Sequence, residues 1–194
     1  MNFEDGYLYH VYNRSNNGAL LFYSRDNYLF FLKKLRKHLK PYCNILAWCL
    51  MPAHFHLLIK VNSIKPECSN VDFNSSIGKC LSSYTRALQN KQNFNGSLFQ
   101  SHTKSKCLNK IEEISPSYWN TEFGAMINSN LDEYSYPQIC FNYIHMNPVM
   151  DKMVSSPEEW EFSSYRDYFG ERKGTLIDYD LALEEGLISN QVLK

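Results

Sequence analysis

Residues 7–13, YLYHVYN, alternate apolar or aromatic side chains with polar ones. A period of two is the spacing of a strand with one face on a core. NRSNNG at 13–18 is a cluster of turn residues. Ser24 suits a helix N-cap, and Tyr28, Phe31, Leu32, Leu35 and Leu39 fall at helical spacing over 25–39, with Pro41 closing the segment. NILAWCL at 44–50 is an apolar run of strand length. HFHLLIKV at 54–61 is a second, separated from it by Met51-Pro52-Ala53. Strands so close in sequence are expected to pair as an antiparallel hairpin.

After Asp72 the period changes again. Phe73, Ile77, Leu81, Tyr84 and Leu88 predict a helix reaching about Gln92, broken by Asn93 to Gly96. HTKSKCLN at 102–109 resembles a short polar strand. Residues 111–134 are polar, hold Pro116, Gly124 and several Asn, and show no clear period; an insertion or mobile loop is expected there. A third helix is expected from about Pro137 to Met146, interrupted near Pro148. From Ser155 the chain is expected to form a C-terminal extension of turns and short helices, with Trp160 and Phe162 as packing anchors. This order predicts one α+β domain over residues 1–194. Its expected architecture is a ferredoxin-like antiparallel sheet with helices packed on it.

Composition narrows the class without naming an activity. The 194 residues are 44% apolar and 21% charged, as in ordinary soluble globular proteins. Twenty Lys and Arg balance twenty Asp and Glu, whereas a nucleic-acid binder more often carries a basic excess. Charge is uneven, however: KKLRKHLK occupies 33–40, and Lys104, Lys106 and Lys110 cluster later. Each cluster is either a basic patch or a solvated helix face. The six cysteines form no C-x-x-C pair. The N-terminus lacks the basic flank and apolar stretch of a signal peptide, and no apolar run approaches the roughly 20 residues needed to span a bilayer. A cytoplasmic protein with reduced thiols and no membrane segment is the expectation.

Two segments can carry chemistry. On a strand, His54 and His56 point to one face and Phe55 to the other, so two imidazoles can converge on one divalent metal ion while the phenylalanine enters the core. A satisfied surface pair would have the same spacing. On a helix, Tyr143 and Asn147 lie four residues apart on one face. Tyr143 offers a nucleophile and Asn147 an oxygen that could complete a metal site; alternatively Tyr143 packs in the core and Asn147 ends the helix before Pro148. His145, two residues from Tyr143, points elsewhere and receives no role.

Together, MPAHFHLLI at 51–59 and YIHMNPV at 143–149 resemble the signature pair of REP-associated tyrosine transposases, a branch of the single-tyrosine HUH transposases. GSLFQSHTKSKCL at 96–108, YHVYNRSNNG at 9–18 and WEFSSYRDY at 160–168 resemble further family segments, so the likeness spans most of residues 7–170. The stretch 111–134 is longer than the corresponding connection in typical members.

The resemblance implies an HUH core in which His54, His56 and Asn147 hold Mg²⁺ or Mn²⁺. It also implies that Tyr143 attacks a DNA phosphate, leaving a 3′-hydroxyl and a 5′-phosphotyrosine that a second strand can reverse. The implied partner is single-stranded DNA folded into hairpins, contacted by Arg14, by Lys33, Lys34, Arg36 and Lys37, and by Lys104 and Lys106. Family members act as single chains or as domain-exchanging homodimers. Three alternatives stay open: a domesticated DNA-binding protein that does not cut, a metal-dependent nuclease that uses water, and a metal-free RNA-binding α+β module.

Overall fold

A computed structural model describes residues 1–67, 71–93, 95–109, 118–121, 124–127 and 135–192. Its central part runs β1 (Leu8–Arg14), α1 (Arg25–Leu39), β2 (Cys43–Met51), β3 (His54–Val61), α2 (Phe73–Gln92) and β4 (Lys104–Cys107). The strands lie in the order β2-β3-β1-β4, each antiparallel to its neighbour. β1 and β2 are therefore parallel, as are β3 and β4, so α1 and α2 are crossover connections. Right-handed crossovers in both units put the two helices on the same side of the sheet. This is the expected ferredoxin-like α+β core.

Local chemistry sets the helix ends. The Asn27 side chain accepts hydrogen bonds from the N–H groups of Tyr23 and Ser24 at 3.0 and 3.2 Å, closing the start of α1. Asp72 accepts from the Ser75 N–H at 2.8 Å and caps α2. Asn93, with φ 51°, ends that helix in the left-handed region, where asparagine is tolerated.

Alternation then divides the sheet into two faces. Val11, Phe55 and Leu57 pack against Leu35 and Leu39 of α1 and Ile77, Cys80 and Leu81 of α2. The other face carries Leu8, His10, Tyr12 and Arg14 of β1 opposite Lys60, Leu58, His56 and His54 of β3. Lys106 and Lys104 of β4 stand opposite His10 and Tyr12. α3 (Tyr136–Met150) covers this second face.

α3 corrects the sequence reading, which stopped the helix near Pro148. The proline forfeits one hydrogen bond, to the Ile144 carbonyl, in the final turn. Beyond it the end is closed by a Schellman arrangement: Lys152, at φ 56°, donates to Val149 O at 2.9 Å, and Met153 donates to Pro148 O at 2.9 Å. Pro148 is itself buried, so packing holds the last turn in place.

The C-terminal segment covers the edge of β2, which would otherwise expose unpaired backbone groups. Leu50 N–H donates to Phe162 O, Ser164 N–H to Trp48 O and Asp178 N–H to Ile45 O, at 2.8, 2.8 and 2.9 Å. Two short helices follow, α4 (Tyr165–Tyr168) and α5 (Tyr179–Glu184). Trp160 and Phe162 act as the expected anchors. Phe162 stacks on Tyr28 at 3.7 Å between ring centroids, and the Trp160 indole donates to Leu50 O at 3.1 Å.

Within the stretch expected as an insertion or mobile loop, β5 (Tyr118–Thr121) and β6 (Gly124–Ile127) form an antiparallel hairpin. The rest of 111–134 lies outside the described residues. Cys43, Cys49, Cys80, Cys107 and Cys140 are free and buried. Among the described residues, no helix is long and apolar enough to cross a membrane.

Candidate active site

β3 and α3 bring the two sequence segments together. His54 and His56 project from alternate positions with ring centroids 5.1 Å apart, while Phe55 turns to the other face and packs on Phe31. On α3, the i, i+4 spacing points Tyr143 and Asn147 at the strand. Asn147 Oδ1 lies 2.9 Å from His54 Nε2. The Tyr143 ring meets the His56 ring edge-on, with centroids 5.4 Å apart and planes at 79°. Tyr143 is also a fully buried member of the hydrophobic core.

His10, which the sequence reading left without a role, also belongs to this group. Its Nε2 lies 2.9 Å from His56 Nδ1. Its ring stacks on Tyr12 at 4.7 Å and stands edge-on to Tyr143 at 6.0 Å. Asp151 was likewise missed; its Oδ2 stands 3.9 Å from His54 Nε2. The signal for His10 was a polar side chain on the Leu8, His10, Tyr12 face of an otherwise well-patterned strand. The signal for Asp151 was its position four residues after Asn147.

The site is dry. His56 and Tyr143 are fully buried, and His54 and Asn147 are 6% and 1% exposed. Burial disfavours the imidazolium form. It depresses the His10 pKa to about 3, with the Lys106 charge adding to the effect. Burial also lowers His56 well below its ordinary value, assisted by His10 and His54. His54 is lowered by burial too, against the opposing pull of Asn147 and Asp151. Burial thus favours the neutral form of all three, the form in which an imidazole can bind a metal ion.

The His, Cys, Asp and Glu side chains among the described residues form no group of three that could hold a metal ion. Outside those residue types, Asn147 offers an oxygen beside His54. Its 2.9 Å separation from His54 Nε2 is close to the roughly 3 Å between adjacent ligands on an octahedral Mg²⁺ or Mn²⁺ ion. A carboxamide oxygen suits such a cation, and imidazole is a common ligand of divalent first-row metals.

The cationic residues divide by face. Arg14 stands opposite His54, and Lys104 and Lys106 lie on the same sheet face as the histidines; Lys106 Nζ donates to the Tyr136 hydroxyl at 3.0 Å. Lys33, Lys34, Arg36 and Lys37 belong to α1, across the sheet from the site. The Arg36 guanidinium donates to Thr175 O and Oγ1 at 3.0 and 2.8 Å, tying α1 to the C-terminal segment. His145 points away from Tyr143 as expected, and bonds Ser164 Oγ at 2.7 Å.

No protein-family profile matches the chain, and no curated protein matches it in sequence. Its structure matches that of a REP-associated tyrosine transposase bound to a REP hairpin, with a TM-score of 0.59 over 92% of each chain at 16% identity. At that identity the likeness establishes the fold alone: an α+β unit with a four-stranded antiparallel sheet and packed helices.

Proposed function

We propose that this protein is a transposase-like enzyme that nicks and rejoins single-stranded DNA through a 5′-phosphotyrosine on Tyr143. The supporting observation is the meeting of Tyr143 and Asn147 with His56 and His54, on a fold matched by a transposase solved with hairpin DNA. His54, His56 and Asn147 would hold Mg²⁺ or Mn²⁺, which supplies Lewis acidity at a non-bridging phosphate oxygen.

The phenol oxygen of Tyr143 bonds to phosphorus as the bond from phosphorus to the 3′ oxygen breaks. The proton lost by the phenol balances the one gained by the departing 3′-hydroxyl. Because the phosphotyrosine conserves the phosphodiester bond, a 3′-hydroxyl from another strand reverses the step and rejoins DNA without a nucleotide cofactor. Arg14, Lys104 and Lys106 guide the scissile strand along the histidine face. Lys33, Lys34 and Lys37 contact phosphates farther away, where a hairpin stem would pass; such contacts position without reading sequence. The burial of Tyr143 requires part of its cover to move before a phosphate can reach it.

The same burial favours a second reading, in which the fold binds DNA without cutting it. Incubating end-labelled, hairpin-bearing single-stranded DNA with protein and Mn²⁺ separates the readings. The proposal expects discrete nicks that disappear in Tyr143→Phe. Continued cutting by that variant points to a water-using nuclease, and no cutting by either protein points to the binding-only reading.

A further inference from the structure

The contact between His10 and His56 joins two buried rings, 1% and 0% exposed, where burial favours the uncharged form. A neutral imidazole carries a single N–H, so the 2.9 Å contact from His10 Nε2 to His56 Nδ1 holds one proton and has two polarities. If His10 donated, His56 would keep its own proton on Nε2, and that nitrogen would have no lone pair in the ring plane to offer a cation. If His56 donates from Nδ1, its Nε2 keeps an in-plane lone pair. His54 meets Asn147 through its own Nε2. The second polarity leaves His56 able to ligate through Nε2, the nitrogen by which His54 reaches Asn147.

We propose that His10 is a positioning residue, whose Nε2 accepts the Nδ1 proton of His56 and thereby holds His56 in the tautomer that ligates metal through Nε2. The inference rests on the metal-ligand reading of His54 and His56. His10 is well placed for the task. β1 is flanked by β3 and β4, so its backbone is pinned on both sides. The His10 ring is 1% exposed and stacked on Tyr12, with planes 25° apart. A metal-binding histidine usually needs such an acceptor behind it, and losing the acceptor typically weakens metal binding by about 10–100-fold. Here the acceptor is a second imidazole from the neighbouring strand.

Nitrogen-15 NMR of the metal-free wild-type protein tests the tautomer directly. The expected result is a proton on His56 Nδ1 and unprotonated Nε2 on both His56 and His10; a proton on His56 Nε2 overturns the proposal. That measurement needs no variant, so it decides the matter even if His10 replacements do not fold.

Mn²⁺ titration followed by electron paramagnetic resonance adds a functional readout. His10→Phe should weaken binding by about 10–100-fold. His10→Gln, whose amide oxygen can accept the same bond, should recover most of the loss. Wild-type affinity in folded His10→Phe, alongside lost binding in His54→Ala, overturns the role of His10 alone. Wild-type affinity in His54→Ala overturns the metal reading beneath it.

Discussion

Nε2 of His54 and Oδ1 of Asn147 lie 2.9 Å apart although 93 positions separate them in the chain. The contact ties the end of a central strand to the last turns of a helix from the far end of the sequence. It is the point at which the candidate metal site becomes a feature of the fold instead of a local motif.

If Asn147 is a ligand, Asn147→Ala should reduce Mn²⁺ affinity by roughly tenfold or more, since even outer partners of metal ligands cost that much. Asn147→Asp keeps an oxygen at the same reach and should retain binding. Calorimetric titration checks both, and wild-type affinity in Asn147→Ala counts against the assignment.

The two groups of cations should behave differently. Arg14→Ala with Lys104→Ala should slow cleavage at saturating DNA, because these positions share the histidine face. Lys33→Ala with Lys37→Ala should leave that rate unchanged and weaken affinity. The slope of log affinity against log salt should fall by roughly one per lost phosphate contact. A reduced saturating rate in the α1 variant would place the scissile strand on the wrong face.

His145 gives the fold an acid sensitivity of its own. Burial holds its pKa at about 3, against an ordinary 6.5. Between those values the unfolded chain binds a proton that the folded chain excludes. Its contribution is therefore complete above pH 6.5 and is lost as pH falls toward 3, at up to about 1.4 kcal/mol per pH unit. His145→Gln keeps a partner for Ser164 and removes the titration. Urea unfolding from pH 7 to pH 4.5 should show a shallower loss of stability in that variant; an identical slope contradicts the account.

The C-terminal strap should contribute stability through Phe162. Removing a ring stacked at 3.7 Å on Tyr28 should cost about 2 kcal/mol, below the full value for a completely buried phenylalanine because Phe162 is half-buried. Urea denaturation of Phe162→Ala measures it, and a loss under about 0.5 kcal/mol, the range of a neutral surface change, means the strap is held by its backbone bonds alone.

Much of this arrangement was legible because it follows short periods. The alternation around Phe55 assigned two imidazoles to one face, and the four-residue step from Tyr143 to Asn147 assigned a phenol and a carboxamide to another. His10 was not legible in the same way. Its partner is set by the register between β1 and β3, in which Tyr12 lies opposite His56 and His10 opposite Leu58, and no local pattern encodes that pairing. α3 shows a different difficulty. It is packed between the sheet and the C-terminal segment, where His145 meets Ser164 and Phe141 meets Tyr168, so apolar residues surround it and its end past Pro148 had no amphipathic marker. The hairpin at 118–127 joins two strands of four residues each, too short for alternation to stand out from a polar background.

The most direct test of the covalent mechanism is mass spectrometry of the protein after incubation with Mn²⁺ and hairpin-bearing single-stranded DNA, quenched in SDS. The account predicts a nucleotide-bearing peptide with the adduct on the Tyr143 hydroxyl, absent from Tyr143→Phe and from His56→Ala. DNA cleaved by wild-type protein with no adduct on Tyr143, or with the adduct on another residue, contradicts it.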